Sequence, residues 1–186
     1  MSKPKIILGI DPGSNILGYA FLQVPKKGKP RAITMGVLDM QKMKSQARKL
    51  QFIFEELQKL INIYEPTDAG IEAPFYGKNV QAMLKLGRAQ GVAMVAVACS
   101  GIDIEEYSPR SIKKAVTGNG NASKEQVARM LPHIIDGEIN PKYLDSTDAL
   151  GVAFCHYLQT QSTGIGQKKH KDWGSFLKDN PNRKFK

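Results

Sequence analysis

Cysteine is nearly absent from this chain: Cys99 and Cys155 are its only two. Each sits singly in an apolar stretch, so neither the paired spacing of a zinc site nor a disulfide framework is available. Both are expected to be buried free thiols. Long apolar runs are missing as well. No stretch approaches the roughly 18 consecutive apolar residues of a membrane span, and Met1-Ser2-Lys3-Pro4 passes into a short strand-like run with no signal-type segment. A cytosolic protein is expected. Negative charge is in deficit, with 17 Asp and Glu against 27 Lys and Arg and a formal net charge of +10. Such a surface attracts a polyanion, either nucleic acid or an anionic membrane face, and charge alone does not choose between them. There is no internal repeat. At 186 residues the chain suits one sizeable core, burying about 70% of its unfolded surface, and is short for two independent domains.

What is present alternates between two periodicities. Residues 6–11 form an apolar run closed by Pro12-Gly13, and residues 18–24 resume it up to the Pro25-Lys26-Lys27-Gly28-Lys29-Pro30 turn. With a third run at 32–39 these predict an antiparallel meander. From residue 43 the register becomes helical: Leu50, Ile53, Phe54, Leu57, Leu60 and Ile61 share one face, and Pro66 stops it. A strand ending at Glu72, a helix over 79–99 and a strand at 103–107 follow. Ser123 with Gln126 has the form of a capping box that opens a further helix, and 144–158 reads as the last packed helix. Strands alternating with helices imply parallel crossovers, hence an α/β fold with a five-stranded mixed sheet and helices on both faces. Residues 1–160 are expected to form the domain and 161–186 a basic, flexible tail. Residues 166–186 alone carry seven Lys or Arg against two Asp.

In so basic a chain, four acids stand out: Asp11, Glu72, Asp145 and Asp148. The first two close strands, and the last two open a helix three residues apart, on a shared face. Each has a bland reading. Asp11-Pro12-Gly13 is an ordinary turn sequence, Glu72 is a solvated strand end, and Asp145 and Asp148 suit the first turn of a helix. If they converge, their mutual repulsion needs a cation, and hard oxygen donors suit Mg²⁺ or Mn²⁺. Two such ions roughly 4 Å apart would activate a water and neutralise the leaving oxygen of a phosphodiester. Arg110, Lys114, Lys78 and Lys85 are candidate phosphate contacts. His133 and His156 read as structural.

Several stretches together resemble the RuvC Holliday junction resolvases over residues 5–158. They are Ile7-Leu8-Gly9-Ile10-Asp11-Pro12-Gly13-Ser14, Ile71-Glu72, Lys78-Asn79 with Leu84-Lys85-Leu86-Gly87-Arg88-Ala89-Gln90-Gly91-Val92-Ala93, and Asp145-Ser146-Thr147-Asp148-Ala149-Leu150. The resemblance implies a ribonuclease H-like fold, a homodimer, cooperation with the RuvA and RuvB branch-migration proteins, and Mg²⁺-dependent paired nicking of four-way DNA junctions. It implies that Asp11, Glu72, Asp145 and Asp148 are the catalytic and metal-holding acids. It also implies that Lys113 and Lys124 lie near the scissile phosphate and that Phe75 stacks on junction bases. Gly87 and Gly91, one turn apart and flanked by Met83, Leu84, Met94 and Val95, would let a twin helix approach closely. Two other readings stay open: an actin-like ATPase, for which 186 residues leave no room for a second domain, and a non-catalytic or less selective ribonuclease H-like nucleic-acid-binding protein.

Overall fold

The computed structural model describes residues 4–74, 79–139 and 144–163. Expectations placed on Phe75, Lys78 and the chain from residue 164 onward lie outside that range.

Three strands, β1 (Lys5–Asp11), β2 (Ile16–Val24) and β3 (Arg31–Asp39), form the expected antiparallel meander. The chain then crosses one sheet face as α1 (Gln46–Tyr64) and returns as β4 (Asp68–Glu72), parallel to β1. A second crossover, α2 (Val80–Ala98), delivers β5 (Ile104–Tyr107), parallel to β4. The sheet order is β3-β2-β1-β4-β5. α3 (Pro109–Thr117), α4 (Lys124–Ile134) and α5 (Leu144–Thr163) complete the chain. The last helix runs past the expected end at residue 158, to Thr163. Among the described residues no helix is long and apolar enough to cross a membrane.

The helices start and stop where local chemistry requires. Ser45 caps α1 by accepting the Arg48 amide, and the buried stripe Ile53, Leu57, Ile61 recurs every fourth residue. Glu65 then takes a left-handed φ of 45° while its amide bonds the Ile61 carbonyl at 2.8 Å. Pro66 disfavours a further helical residue before it, which accounts for the stop. Asn79 caps α2 at 3.1 Å from the Ala82 amide. The capping box at α4 is reciprocal: Ser123 Oγ accepts the Gln126 amide at 3.2 Å, and Gln126 Oε1 accepts the Ser123 amide at 2.8 Å. One expectation is corrected. Cys99 is exposed rather than buried, because it caps α2 on the outward side of its last turn. Cys155 is buried, and burial pushes its thiol up to about 11.

The sheet divides the core in two. Leu8, Ile10, Leu17, Phe21 and Ile71 pack under α1 and α2, while Ile7, Ala20 and Leu22 pack under α4 and α5. Side chains alternate along a strand. Ile7, Gly9 and Asp11 therefore share the α5 face of β1. Gly70 meets α5 as well, which puts Asp68 and Glu72 on that face of β4. The alternation that builds the core thus aims two of the acids at the same helix.

Candidate active site

Parallel pairing brings the first two acids level. Ile7↔Asp68 through Ile10↔Ile71 are register partners, and Asp11 and Glu72 lie one step beyond, at the C-terminal ends of adjacent strands. Their carboxyl groups face one another closely enough that the charge of Glu72 makes Asp11 harder to ionise. In an open parallel sheet, ligand crevices form outside the carboxyl ends of the strands.

Glycine brings the other two acids in. α5 lies over a track of glycines on three strands: Gly18 on β2, Gly9 on β1 and Gly70 on β4. A Cβ on Gly18 would overlap the Asp145 carbonyl oxygen and lie 2.8 Å from its carbon. A Cβ on Gly9 would overlap the Ala149 carbonyl oxygen and lie 2.6 Å from the Ala153 nitrogen. With nothing but hydrogen on those positions, the helix backbone rests on the sheet. The first turn of α5 then presents Asp145 and Asp148 to Asp11, and one oxygen from each of the three lies within 4.8 Å of the others. Glu72 falls outside that group of three and joins it through Asp11.

The electrostatics follow from crowding. Burial pushes the Asp11 carboxyl up to about 9, helped by the hydrogen bond and charge of Glu72 and the charge of Asp148, while Lys124 opposes the shift. Lys124, the first residue of α4, donates to Asp148 Oδ2. Burial works against its charge, but the bond to Asp148 and the charges of Asp11 and Glu72 hold the ammonium above its usual range. Glu72, Lys113, Lys124 and Asp148, with Pro109, Ile112 and Val127, line a cleft of about 370 Å³. Four hard oxygen donors, with one cation already drawn in and one carboxyl driven toward its neutral form, match the donor set of a divalent metal such as Mg²⁺ or Mn²⁺.

The other candidates divide. Lys113 is half-buried in the cleft wall, whereas Arg110 and Lys114 are exposed on the same helix. Lys85 is exposed on α2, across the sheet. His133 is exposed and engaged through its carbonyl, which accepts Lys29 Nζ at 2.9 Å. His156 is buried, 3% exposed. One residue escaped the sequence reading. Lys49 is only 9% exposed, and its ammonium donates to Asn15 Oδ1 at 2.6 Å and to the Ser14 carbonyl at 3.5 Å, tying down the turn that follows Asp11. The signal was its place four residues before Ile53 on the buried stripe of α1.

Comparison with known proteins agrees along the whole chain. Residues 7–156 match the family model described as crossover junction endodeoxyribonuclease RuvC. The protein of that name from Cytophaga hutchinsonii is 50% identical over 179 residues, covering 96% of this chain and 88% of its own. Its counterpart from Christiangramia forsetii is 50% identical over 183 residues, covering 98% and 94%. Among solved structures, Thermus thermophilus RuvC in complex with a Holliday junction substrate superposes with a TM-score of 0.78 at 26% identity, covering 86% of this chain and 96% of that one. The yeast mitochondrial Holliday junction resolvase Ydc2, at 14% identity and a TM-score of 0.62, shares the fold.

Proposed function

The chain belongs to the RuvC family of crossover junction endodeoxyribonucleases, and from that premise we propose that it resolves four-way DNA junctions by paired, symmetric nicks made at the Asp11, Glu72, Asp145 and Asp148 cluster. The observation that carries this reading is the convergence of acids from β1, β4 and α5 on one cleft edged by Lys113 and Lys124.

These four carboxylates would hold two divalent ions, Mg²⁺ in this proposal with Mn²⁺ as a substitute. When bound, the metal supplies a water of lowered pKa and charge compensation at the leaving oxygen. The protein residues do the rest. Asp11 and Glu72, fixed at strand ends, give the site a rigid floor, and Asp145 and Asp148 close it from the helix. Filling the site favours the ionised form of Asp11 that crowding otherwise disfavours. Lys124 is the catalytic cation of this proposal: its ammonium stands beside Asp148 in the cleft, where it would offset transition-state charge on a scissile phosphate. Lys113, which lines the same cleft, would add a second cation near that phosphate. Arg110, Lys114, Lys85 and Lys78 would contribute sequence-independent backbone contacts, and Phe75 would stack on an opened base.

The proposal includes a homodimer. Gly87 and Gly91 face open space on α2, and Leu84 and Val95 nearby are 52% and 53% exposed. Met94, by contrast, packs into the chain's own core. A two-fold axis through this face would set one catalytic site against each of two matching strands. It also keeps RuvA and RuvB as partners, cytoplasmic action, and the domain limit near residue 160 with a basic tail beyond. Incubation with a labelled synthetic four-way junction tests the core of the reading. Mg²⁺ should yield paired nicks, chelator none, and duplex and single-stranded controls should stay intact. Equal cutting of the plain duplex would refute junction resolution.

A further inference from the structure

α5 carries two of the four acids, and along the line of Gly18, Gly9 and Gly70 its backbone lies directly on the sheet. At those glycines no side chain interdigitates with the helix, so its rotation is set by the contacts on either side of the track, Ile7, Ala20 and Leu22 among them. Small rotations matter here. A turn of roughly 10° moves an atom about 6 Å from the helix axis by about 1 Å, and a displacement of that size near the chemistry can cost ~10²-fold in rate.

At the far end of the track the helix meets a directional contact. His156, eight residues beyond Asp148 and so roughly 12 Å further along the axis, has its Nδ1 2.9 Å from the Tyr107 hydroxyl. The rings stand edge to face, with centroids 5.8 Å apart. Its Nε2 has no hydrogen-bond partner among the described residues and faces Asp68 Oδ1 at 3.7 Å. Asp68 in turn holds Lys5 at 3.3 Å and accepts the Thr67 hydroxyl at 2.7 Å. With a carboxylate on the Nε2 side, the ring proton belongs on Nε2, which leaves Nδ1 to accept from the tyrosine. Burial holds the imidazole below its usual range, so it stays neutral and the acceptor stays available.

Tyr107 is placed to pass this contact on. It is the last residue of β5 and the register partner of Glu72, and its carbonyl accepts the Ala73 amide at 2.8 Å. It also precedes Ser108, the N-cap of α3, the helix that supplies Pro109, Ile112 and Lys113 to the cleft. We propose that the Tyr107–His156 hydrogen bond is a register pin, in which two positioning residues set the rotation of α5, and so the placement of Asp145 and Asp148, against Glu72 on the sheet. The pin rests on the assignment of the four carboxylates given above, and it extends that site by two residues that touch neither metal nor DNA.

The atoms involved make it testable by shape. Asparagine places an amide oxygen near the position of Nδ1, whereas glutamine reaches the position of Nε2. The variants are Tyr107→Phe, which removes a single oxygen, and His156→Leu, His156→Asn and His156→Gln. They are compared by single-turnover nicking at saturating junction, by the Mg²⁺-induced rise in Tm, and by junction Kd in chelator. Tyr107→Phe, His156→Leu and His156→Gln are expected to nick roughly ten to a hundred times more slowly and to need more Mg²⁺ for the same rise in Tm, with junction Kd held within about twofold because no DNA contact is lost. His156→Asn is expected to stay close to the parent. Parental nicking and Mg²⁺ response in Tyr107→Phe would overturn the pin, as would rescue by glutamine equal to that by asparagine. Normal nicking by Asp11→Asn would instead overturn the carboxylate site itself, so the two failures are distinct.

Discussion

A single methyl group at Gly18 should separate folding from catalysis. In a strand free of steric conflict, replacing glycine by alanine is favourable by about 0.5–1 kcal/mol, because glycine has more backbone freedom to lose on folding. Gly18→Ala should reverse that sign. The new Cβ falls on the carbonyl oxygen of Asp145, 2.8 Å from its carbon and 3.4 Å from Ala149 Cβ. Ordinary carbon contacts lie at about 3.5–4.0 Å, so α5 must retreat by roughly 1 Å. Overpacking of this kind costs about 1–3 kcal/mol, equivalent to roughly 2–12 °C in Tm for a domain of this size. The retreat begins at the residue that carries a proposed ligand, so nicking should fall by about 10². Because DNA contacts are untouched, junction affinity measured in chelator should not change. The obstruction is backbone, so trimming the neighbouring side chain with Ala149→Gly should not restore activity. Gly18→Ala with parental Tm and rate would refute the packing argument, and rescue by Ala149→Gly would show that the conflict lies with the side chain instead.

The acids and their surroundings yield further expectations. Asp11→Asn should abolish nicking and leave junction binding largely intact, as gel-shift and cleavage assays on the same preparation would show. In metal-free protein, Asp11 is pushed up to about 9 from 3.8, so between those values the folded state binds more protons than the unfolded one and stability falls as pH rises. Tm in chelator should therefore decline from pH 5 to pH 8.5, and the decline should flatten in Asp11→Asn or with saturating Mg²⁺; a Tm that climbs over that range would contradict the crowding argument. Lys124→Gln should slow single-turnover nicking by about 10² with little change in junction Kd, and an equal loss in binding would make Lys124 a phosphate contact instead. Ser123→Ala removes the capping box beneath Lys124 and should cost about 1 kcal/mol in denaturant unfolding.

Much of the fold was legible because its signals are local. The four-residue stripe of α1, the period-two runs of β1 to β3, the Pro66 stop and the Ser123–Gln126 box depend only on neighbours in the chain, and each lies where those neighbours place it. Cys99 was misread because an apolar neighbourhood in sequence does not say which side of a helix end faces out. Lys49 was missed because its burial depends on a turn 34 residues away, whose Asn15 accepts its ammonium.

The sequence by itself determined the identities that chemistry needs: four acids at element ends, a surplus of cations for a polyanion, and glycines at positions 9, 18 and 70. What those glycines were for, only the tertiary structure decided. Register between β1 and β4 levels Asp11 with Glu72, and bare glycine backbone lets α5 settle close enough to add Asp145 and Asp148. The physical reason is range. Periodicity and capping act over one helical turn or one strand pair, whereas the burial and repulsion that drive Asp11 toward its neutral form exist only once the fold encloses it and brings Asp148, more than a hundred positions away in the chain, within a few ångströms.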